Sequence, residues 1–388
     1  MAVCGVIAEY DPFHNGHARH LALAREKTGA DFIVCIMSGS FTQRGLPALL
    51  PAHARAEMAL RCGADAVLQL PYAFSVREAE YFALGGVAIL HSLNCVTHLS
   101  FGCETEDLPL LRDAAALLER PDAAFSNAIQ EGLNRGLSFA AAQGSAVSKR
   151  LRVDEKALNA PNTVLALCYL RALLRLMSPI EPVPVLRSQD YHAAELEAYP
   201  SASAVRGAIL RGDWAGVERA VPKAALPILK RTVLNGVCPP DGLDAILRHT
   251  LLTADKEEIA RWPGIGEGLE DRILKAAQTA VSREELIDAV KTRRYTRGRI
   301  SRALCHGMLK VTKDDLPYLP DHARILGFRE NARPLLRQIQ KSGFPLLSRP
   351  ARESRAELDI RADELWRIGA GLPRGETYRE SPVIVHAQ

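Results

Sequence analysis

Two histidines, His14 and His17, stand three residues apart around Asn15 and Gly16, directly after Glu9, Tyr10, Asp11, Pro12 and Phe13. At the start of a helix this spacing projects both imidazoles from one side. There each can donate a hydrogen bond to a phosphate oxygen as negative charge develops in phosphoryl or nucleotidyl transfer. Gly16 lets the backbone approach a ligand closely, Pro12 constrains the entry, and the following helix offers N–H groups and its positive dipole end to an anion. Histidines at such a turn could also merely cap or pack it. A strand, a proline turn and His-x-Gly-His opening a helix combine residue type, spacing and context, and the combination favours the phosphate chemistry.

Such a turn needs a sheet edge to hold it. Val3–Ala8, Phe32–Met37, Ala66–Leu70 and Val96–Phe101 are strand-like, and helical patterns separate them near Gly16–Thr28, Ala52–Cys62 and Ser75–Leu93. The alternation predicts an α/β fold with a Rossmann-like, doubly wound parallel sheet. A further strand is expected near Val183–Leu186, and Ser201–Arg206 reads as a capped helix start. The sheet domain is therefore expected over residues 1–215 and a mainly helical, basic domain over residues 216–388. In the second part Phe344–Ser348 reads as a lone strand and Pro373–Gln388 as a loose tail.

With 388 residues, 47% of them hydrophobic, each domain can build a core without a disulfide or metal staple. The eight cysteines are scattered, with no zinc or redox spacing, and read as reduced thiols in a cytoplasm. No apolar run approaches about 20 residues, so a membrane span is not expected. A net charge of +4 is too small to indicate nucleic acid, but its distribution is informative. Lys291, Arg293, Arg294, Arg297, Arg299 and Arg302 fall within twelve residues together with Tyr295 and without an acid, a candidate strip for a nucleic-acid backbone. A solvated helix with charges all round would read the same.

Other positions gain meaning from their place. Gly102 closes a strand-like run and would let a ligand approach, or simply turn the chain. Asn162 opens a helix as a candidate cap. Arg187 follows a strand at the ligand-binding edge, where a guanidinium can hold phosphate or carboxylate. Ser203 and Arg206 lie at a helix start, and Ser38, Gly39, Gln43 and Arg44 in the loop after the second strand, with Arg44 a candidate contact for nucleic acid or a carboxylate.

The longer string Gly5–Leu21, followed by Met37–Gly45, Ala160–Thr163, Leu186–His192, Ser201–Arg206, Gly264–Glu270, Tyr295–Ile300 and Leu326–Phe328, resembles the tRNA(Met) cytidine acetate ligase family. That family lies within the HxGH nucleotidylyltransferase superfamily, and the similarity runs from residue 3 to about residue 350. The resemblance implies an enzyme that joins acetate to AMP from ATP, releases pyrophosphate, and passes acetyl to the wobble cytidine of elongator tRNA(Met). It places ATP on Ile7, Ala8, Glu9, Tyr10, Asp11, Pro12, Phe13, His14, Asn15, Gly16, His17, Ala18, Arg19 and His20, with Gly102, Asn162 and Arg187. Ser203 and Arg206 would meet the outer phosphates, and His14 and His17 would be catalytic. Mg²⁺ would arrive with the triphosphate rather than at a metal site of the protein's own. Asp11, Leu46 and Thr163 depart from the family pattern, which has Asn, Glu and Asn there. A carboxylate at residue 11 repels a triphosphate unless a cation screens it. Two other functions compete: an adenylyltransferase for a phosphorylated small molecule such as nicotinate mononucleotide or pantetheine phosphate, and an RNA-binding protein with a relic nucleotide site.

Overall fold

The computed structural model describes residues 1–137, 139–154, 158–187, 201–349, 355–375 and 377–386. Val3–Ala8 (β1), Phe32–Ser38 (β2), Ala66–Leu70 (β3), His98–Cys103 (β4) and Glu181–Leu186 (β5) form a parallel array in the order β3-β2-β1-β4-β5. β2 and β3 read as continuous apolar runs because both of their faces are covered. β5 contains Pro182 and Pro184, which cannot donate to a ladder, and it takes the sheet edge where that loss is tolerated. The chain reverses direction across the sheet between β1 and β4, and their carboxyl ends flank the crevice where open α/β sheets bind ligands.

Helices cover both faces. α1 (Asn15–Thr28) and α2 (Ala52–Arg61) pack Leu21, Ala24, Ala56 and Leu60 on Cys4, Val6, Cys35 and Met37. On the opposite face α3 (Ala79–Ser92) and α4 (Pro161–Arg175) pack Phe82, Val87, Leu90, Ala166 and Leu170 on Val34, Ile36, Leu99 and Phe101. Gly86 lets α3 approach closely, since a Cβ there would stand 2.6 Å from Ile7 Cδ1. α5 (Ala202–Leu210) begins where expected, with the Ser201 hydroxyl accepting the Ala204 N–H at 3.2 Å.

The sheet does not close near residue 215. Ala323–Arg329 (β6) pairs antiparallel with β3, and Leu346–Leu347 (β7) and Val383–Val385 (β8) pair parallel with β6. The expected lone strand is thus a sheet edge, and the expected loose tail contains β8. A strand of three residues is too short for a period of two to show, which is why the sequence of β8 reads as coil. The mainly helical part between residues 244 and 308 has its own core of Leu247, Ile259, Trp262, Leu269, Ile287 and Ile300, and ends in α6 (Arg297–Met308). After it, α7 (Glu357–Gly369) returns to the loops beyond β2 and β3. Asp363 accepts from the Ser40 hydroxyl and Asp359 from the Tyr72 N–H, while the Trp366 indole donates to the Ala48 carbonyl, each at 2.5 Å. The eight cysteines are all free, and among the described residues no helix is long and apolar enough to cross a membrane.

Candidate active site

His14 is the N-cap of α1, with extended backbone (φ −143°, ψ 175°), so its ring folds back over the helix start. Its Nδ1 accepts the Gly16 N–H at 3.1 Å, and His17 Nδ1 accepts the His14 N–H at 3.2 Å. A side chain on Gly16 would collide with this arrangement, because a Cβ there would lie 2.9 Å from His14 Cε1. The two rings stack with centroids 3.7 Å apart. Since a backbone N–H can only donate, both Nδ1 atoms are acceptors, and each neutral ring carries its proton on Nε2. Burial, helped by Arg187, pushes His14 down to about 4. His17 is lowered by burial, then by His14, Arg187 and His20. His20, bonded through Nε2 to the Ser100 hydroxyl at 3.1 Å, falls to about 4 through burial and Arg187. His14 and His17 are therefore neutral donors at pH 7, and His20 is neutral beside them. The Gly16 amide is occupied by His14, so α1 presents imidazoles here rather than that bare N–H.

The Asp11 carboxylate is engaged by protein groups. Its Oδ1 accepts the Leu49 N–H at 2.7 Å and its Oδ2 meets Arg206 Nη1 at 3.2 Å, while that same Nη1 donates to the Asp11 carbonyl at 2.6 Å. Arg206 Nη2 reaches the Ser203 hydroxyl at 3.0 Å. The repulsive carboxylate is thus screened by a protein guanidinium, which it holds at the mouth of the site. Burial pushes Asp11 upward against the opposing pull of Arg206, Arg55 and the Leu49 N–H.

Arg55, fully buried on α2, binds the Leu50, Glu9, Ser38 and Gly39 carbonyls and so ties the ends of β1 and β2 to the following loop. Sequence reasoning missed it, although an arginine inside the apolar stripe Ala52, Ala56, Ala59 was the available signal. Glu104 was also missed. It accepts from the Asn162 side chain at 2.6 Å and from the Thr163 N–H at 2.7 Å and hydroxyl at 2.9 Å, capping α4. Burial raises Glu104, but these hydrogen bonds outweigh it and hold the carboxyl below its usual value. Asn162 Oδ1 then accepts from Arg187 at 2.8 Å. Gly102 lies inside β4 rather than beyond it, and a Cβ there would meet the Arg187 stem at 3.0 Å.

These groups surround a cavity of about 410 Å³. Ile7, Ala8, Glu9, Tyr10, Asp11, Gly16, His17, Arg19, His20, Gly102, Asn162, Arg187, Arg206, Gln43 and Arg44 line it. Pro12, Phe13, His14, Asn15, Ala18 and Ser203 do not line it directly: Phe13 is buried in the core, His14 stacks on His17, which does line it, and Asn15 donates to the Arg219 carbonyl. Ser188–His192 lies outside the described residues.

The basic strip is organised differently. Lys291 pairs with Asp288 at 3.5 Å, Arg294 with Glu267, Arg297 with Glu284 and Asp288, and Arg302 with Glu78 at 3.5 Å. Arg299 donates to the Gly264 carbonyl at 2.6 Å and lies 5.3 Å from the Tyr295 ring centroid. Among the described residues, Arg293 has no such partner.

Comparison with known proteins agrees with this geometry. The family model HIGH Nucleotidyl Transferase matches residues 1–378. A tRNA(Met) cytidine acetate ligase of Clostridium perfringens (strain SM101 / Type A) is 33% identical, over 99% of this chain and all of that one. The protein of that name from Acetivibrio thermocellus is 36% identical over 94% of each. A crystal structure of Thermotoga maritima TmcAL bound with alpha-thio ATP superposes with a TM-score of 0.90 at 28% identity, covering both chains completely. With its histidine-capped helix at the switch point and full-length relatives above 30% identity, this chain belongs to the tRNA(Met) cytidine acetate ligase family of the HIGH nucleotidyl transferases.

Proposed function

We propose that the protein is an ATP-dependent ligase that activates acetate as acetyl-adenylate and transfers the acetyl group to the exocyclic amine of the wobble cytidine of elongator tRNA(Met). The observation that carries this reading is a full-length match to ligases of that name, coinciding with two neutral Nε2–H donors where the chain crosses the sheet. A carboxylate oxygen attacks the α-phosphorus in line, and His14 and His17 stabilise the charge that builds on departing pyrophosphate. Arg206, held by Asp11 and Ser203, and Arg187, held by Asn162, supply cationic hydrogen bonds to the nucleotide. Positioning and charge stabilisation suffice, without a protein nucleophile.

Among the described residues no group of three or more His, Cys, Asp or Glu could hold a metal. The residues present suit phosphate, and Mg²⁺ would accompany the triphosphate that they hold. The helical part between residues 244 and 308 holds the tRNA together with Arg44 at the cavity mouth: exposed Arg293 is foremost, and Lys291, Arg294, Arg297 and Arg299 contribute only as their present partners are exchanged for phosphate. A tRNA substrate places the protein in the cytoplasm. The test is labelled acetate with ATP and bulk tRNA. Label is expected in RNA and should depend on His17, whereas acetate-independent transfer of AMP to a phosphorylated small molecule would overturn the reading.

A further inference from the structure

The residues lining the cavity come from both faces of the sheet, and each set makes one lobe of its wall. Alternation along β1 and β4 puts Ser100 and Gly102 on the α1 face with His20 and Arg187, and it puts Ile7 and Phe101 on the face covered by α3 and α4, where Glu9, just past β1, acts electrostatically on Tyr169. Phe82, Phe101 and Tyr169 are buried there, the last two with ring centroids 5.8 Å apart. Two polar groups enter this apolar wall. Glu9 accepts the Gln43 N–H through Oε1 at 2.6 Å, while its Oε2 takes no hydrogen bond from the described residues. The hydroxyl of Tyr169, a residue only 3% exposed, makes none with them either. Acetate activation as derived above uses neither group.

An aromatic wall with a carboxylate beside it suits a flat ring whose edge donates hydrogen bonds. Carboxylates recognise cytosine through its exocyclic amine, and enzymes that act on a base hold it between aromatic and apolar side chains. Uracil presents a carbonyl at that position and would be repelled.

We propose that this lobe receives the target cytosine and that Glu9 Oε2 accepts first a hydrogen bond and then a proton from its exocyclic amine. The inference rests on the ligase reading. In the transfer step the amine lone pair forms a bond to the acetyl carbonyl carbon, and the bond from that carbon to the adenylate oxygen breaks. AMP leaves with the electron pair, and the surplus N–H proton passes to Glu9. The Tyr169 hydroxyl supplies a donor for the ring's acceptor edge. Burial raises the Glu9 carboxyl, assisted by Asp11 and opposed by the Gln43 N–H, Arg55 and Arg44, which brings it closer to the proton affinity a base needs near neutrality.

Glu9→Gln keeps the side chain's size and an acceptor for the Gln43 N–H while removing the base. Two rates are read on one preparation: acetate-dependent ATP–pyrophosphate exchange, and acetyl transfer to tRNA bearing cytosine at the target position. Transfer is expected to fall about 10²-fold further than exchange, and competition by tRNA bearing uracil there should strengthen. Tyr169→Phe removes a single oxygen and tests the lobe independently, with the transfer-to-exchange ratio expected to fall about tenfold. Equal losses in both rates for the two variants, or a raised KM for ATP at an unchanged ratio, would assign the lobe to the nucleotide and overturn the proposal. Absence of acetate-dependent exchange in the unsubstituted protein would sink the ligase reading, and this inference with it, before any variant is made.

Discussion

The Glu9–His20 loop and the Lys291–Arg302 strip are both dense in side chains that can bind phosphate, yet they use those side chains in opposite ways. In the loop, each imidazole uses one nitrogen to cap the helix and keeps the other as a donor, and a carboxylate that would repel a ligand is turned onto an arginine. In the strip, Lys291, Arg294, Arg297 and Arg302 are matched by acids that stand elsewhere in the sequence, Glu78, Glu267, Glu284 and Asp288. A motif whose backbone geometry is dictated by Gly16 and a helix cap reports where its side chains point. A run of charge reports only that charges exist, because their partners come from the fold.

The largest test of this contrast is His17→Asn, which keeps a polar acceptor near the His14 N–H but removes the ring donor. Acetate-dependent ATP–pyrophosphate exchange should drop about 10²- to 10³-fold, as loss of one charge-stabilising donor does. A drop under tenfold would make the histidine a cap and nothing more. Acid should act on the same loop. His14 and His20 fall to about 4 from an ordinary value of 6.5, so the unfolded chain binds protons that the folded one refuses. Stability from these rings is complete above pH 6.5 and is lost as pH falls toward 4. Urea titrations across that window should show a declining unfolding free energy, less steep in His20→Asn. A slope unaffected by that change would contradict the buried, neutral ring.

Glu104 tests whether the loop's supports matter as much as the loop. Glu104→Ala leaves the start of α4 uncapped and removes the anchor through which Asn162 holds Arg187. A loss of about 1–2 kcal/mol in stability is expected from the cap, together with a raised KM for ATP. An altered stability with KM untouched would separate Arg187 from nucleotide binding.

In the strip, the pairing pattern predicts unequal residues. Arg293→Ala should weaken tRNA binding and reduce the slope of log affinity against log salt by about one. Arg297→Ala, whose charge already faces Glu284 and Asp288, should change both less and cost at most about 1 kcal/mol of stability. Equal effects would show that tRNA displaces the acids.

Much of the catalytic end was legible because it is local. β1, the turn and α1 are contiguous, and residue type and period announce each of them. β4 was expected two residues early, which placed Gly102 at a strand end instead of beneath the Arg187 stem. Glu104 and the returning strands β6 and β8 were not legible, for one reason. Their roles consist of contacts between segments far apart in the chain, such as Glu104 with Asn162 and β6 with β3. No window of sequence contains both partners.

Asp11→Asn should have the smallest effect of all, and it completes the comparison. The amide oxygen can still accept the Leu49 N–H, and Arg206 retains the residue 11 carbonyl at 2.6 Å and the Ser203 hydroxyl. What disappears is one ion-pair contact at 3.2 Å, on an arginine side chain that is 27% exposed, and the pull between the carboxylate and Arg55. Removal of a repulsive charge near the triphosphate also works against that loss. The KM for ATP should therefore move by less than about threefold, since a partly exposed pair contributes about 1 kcal/mol or less. A loss approaching that of His17→Asn would mean that the carboxylate itself contacts the nucleotide or its Mg²⁺. In that case Asp11 would act as a ligand group, and its contact with Arg206 would describe only the resting site.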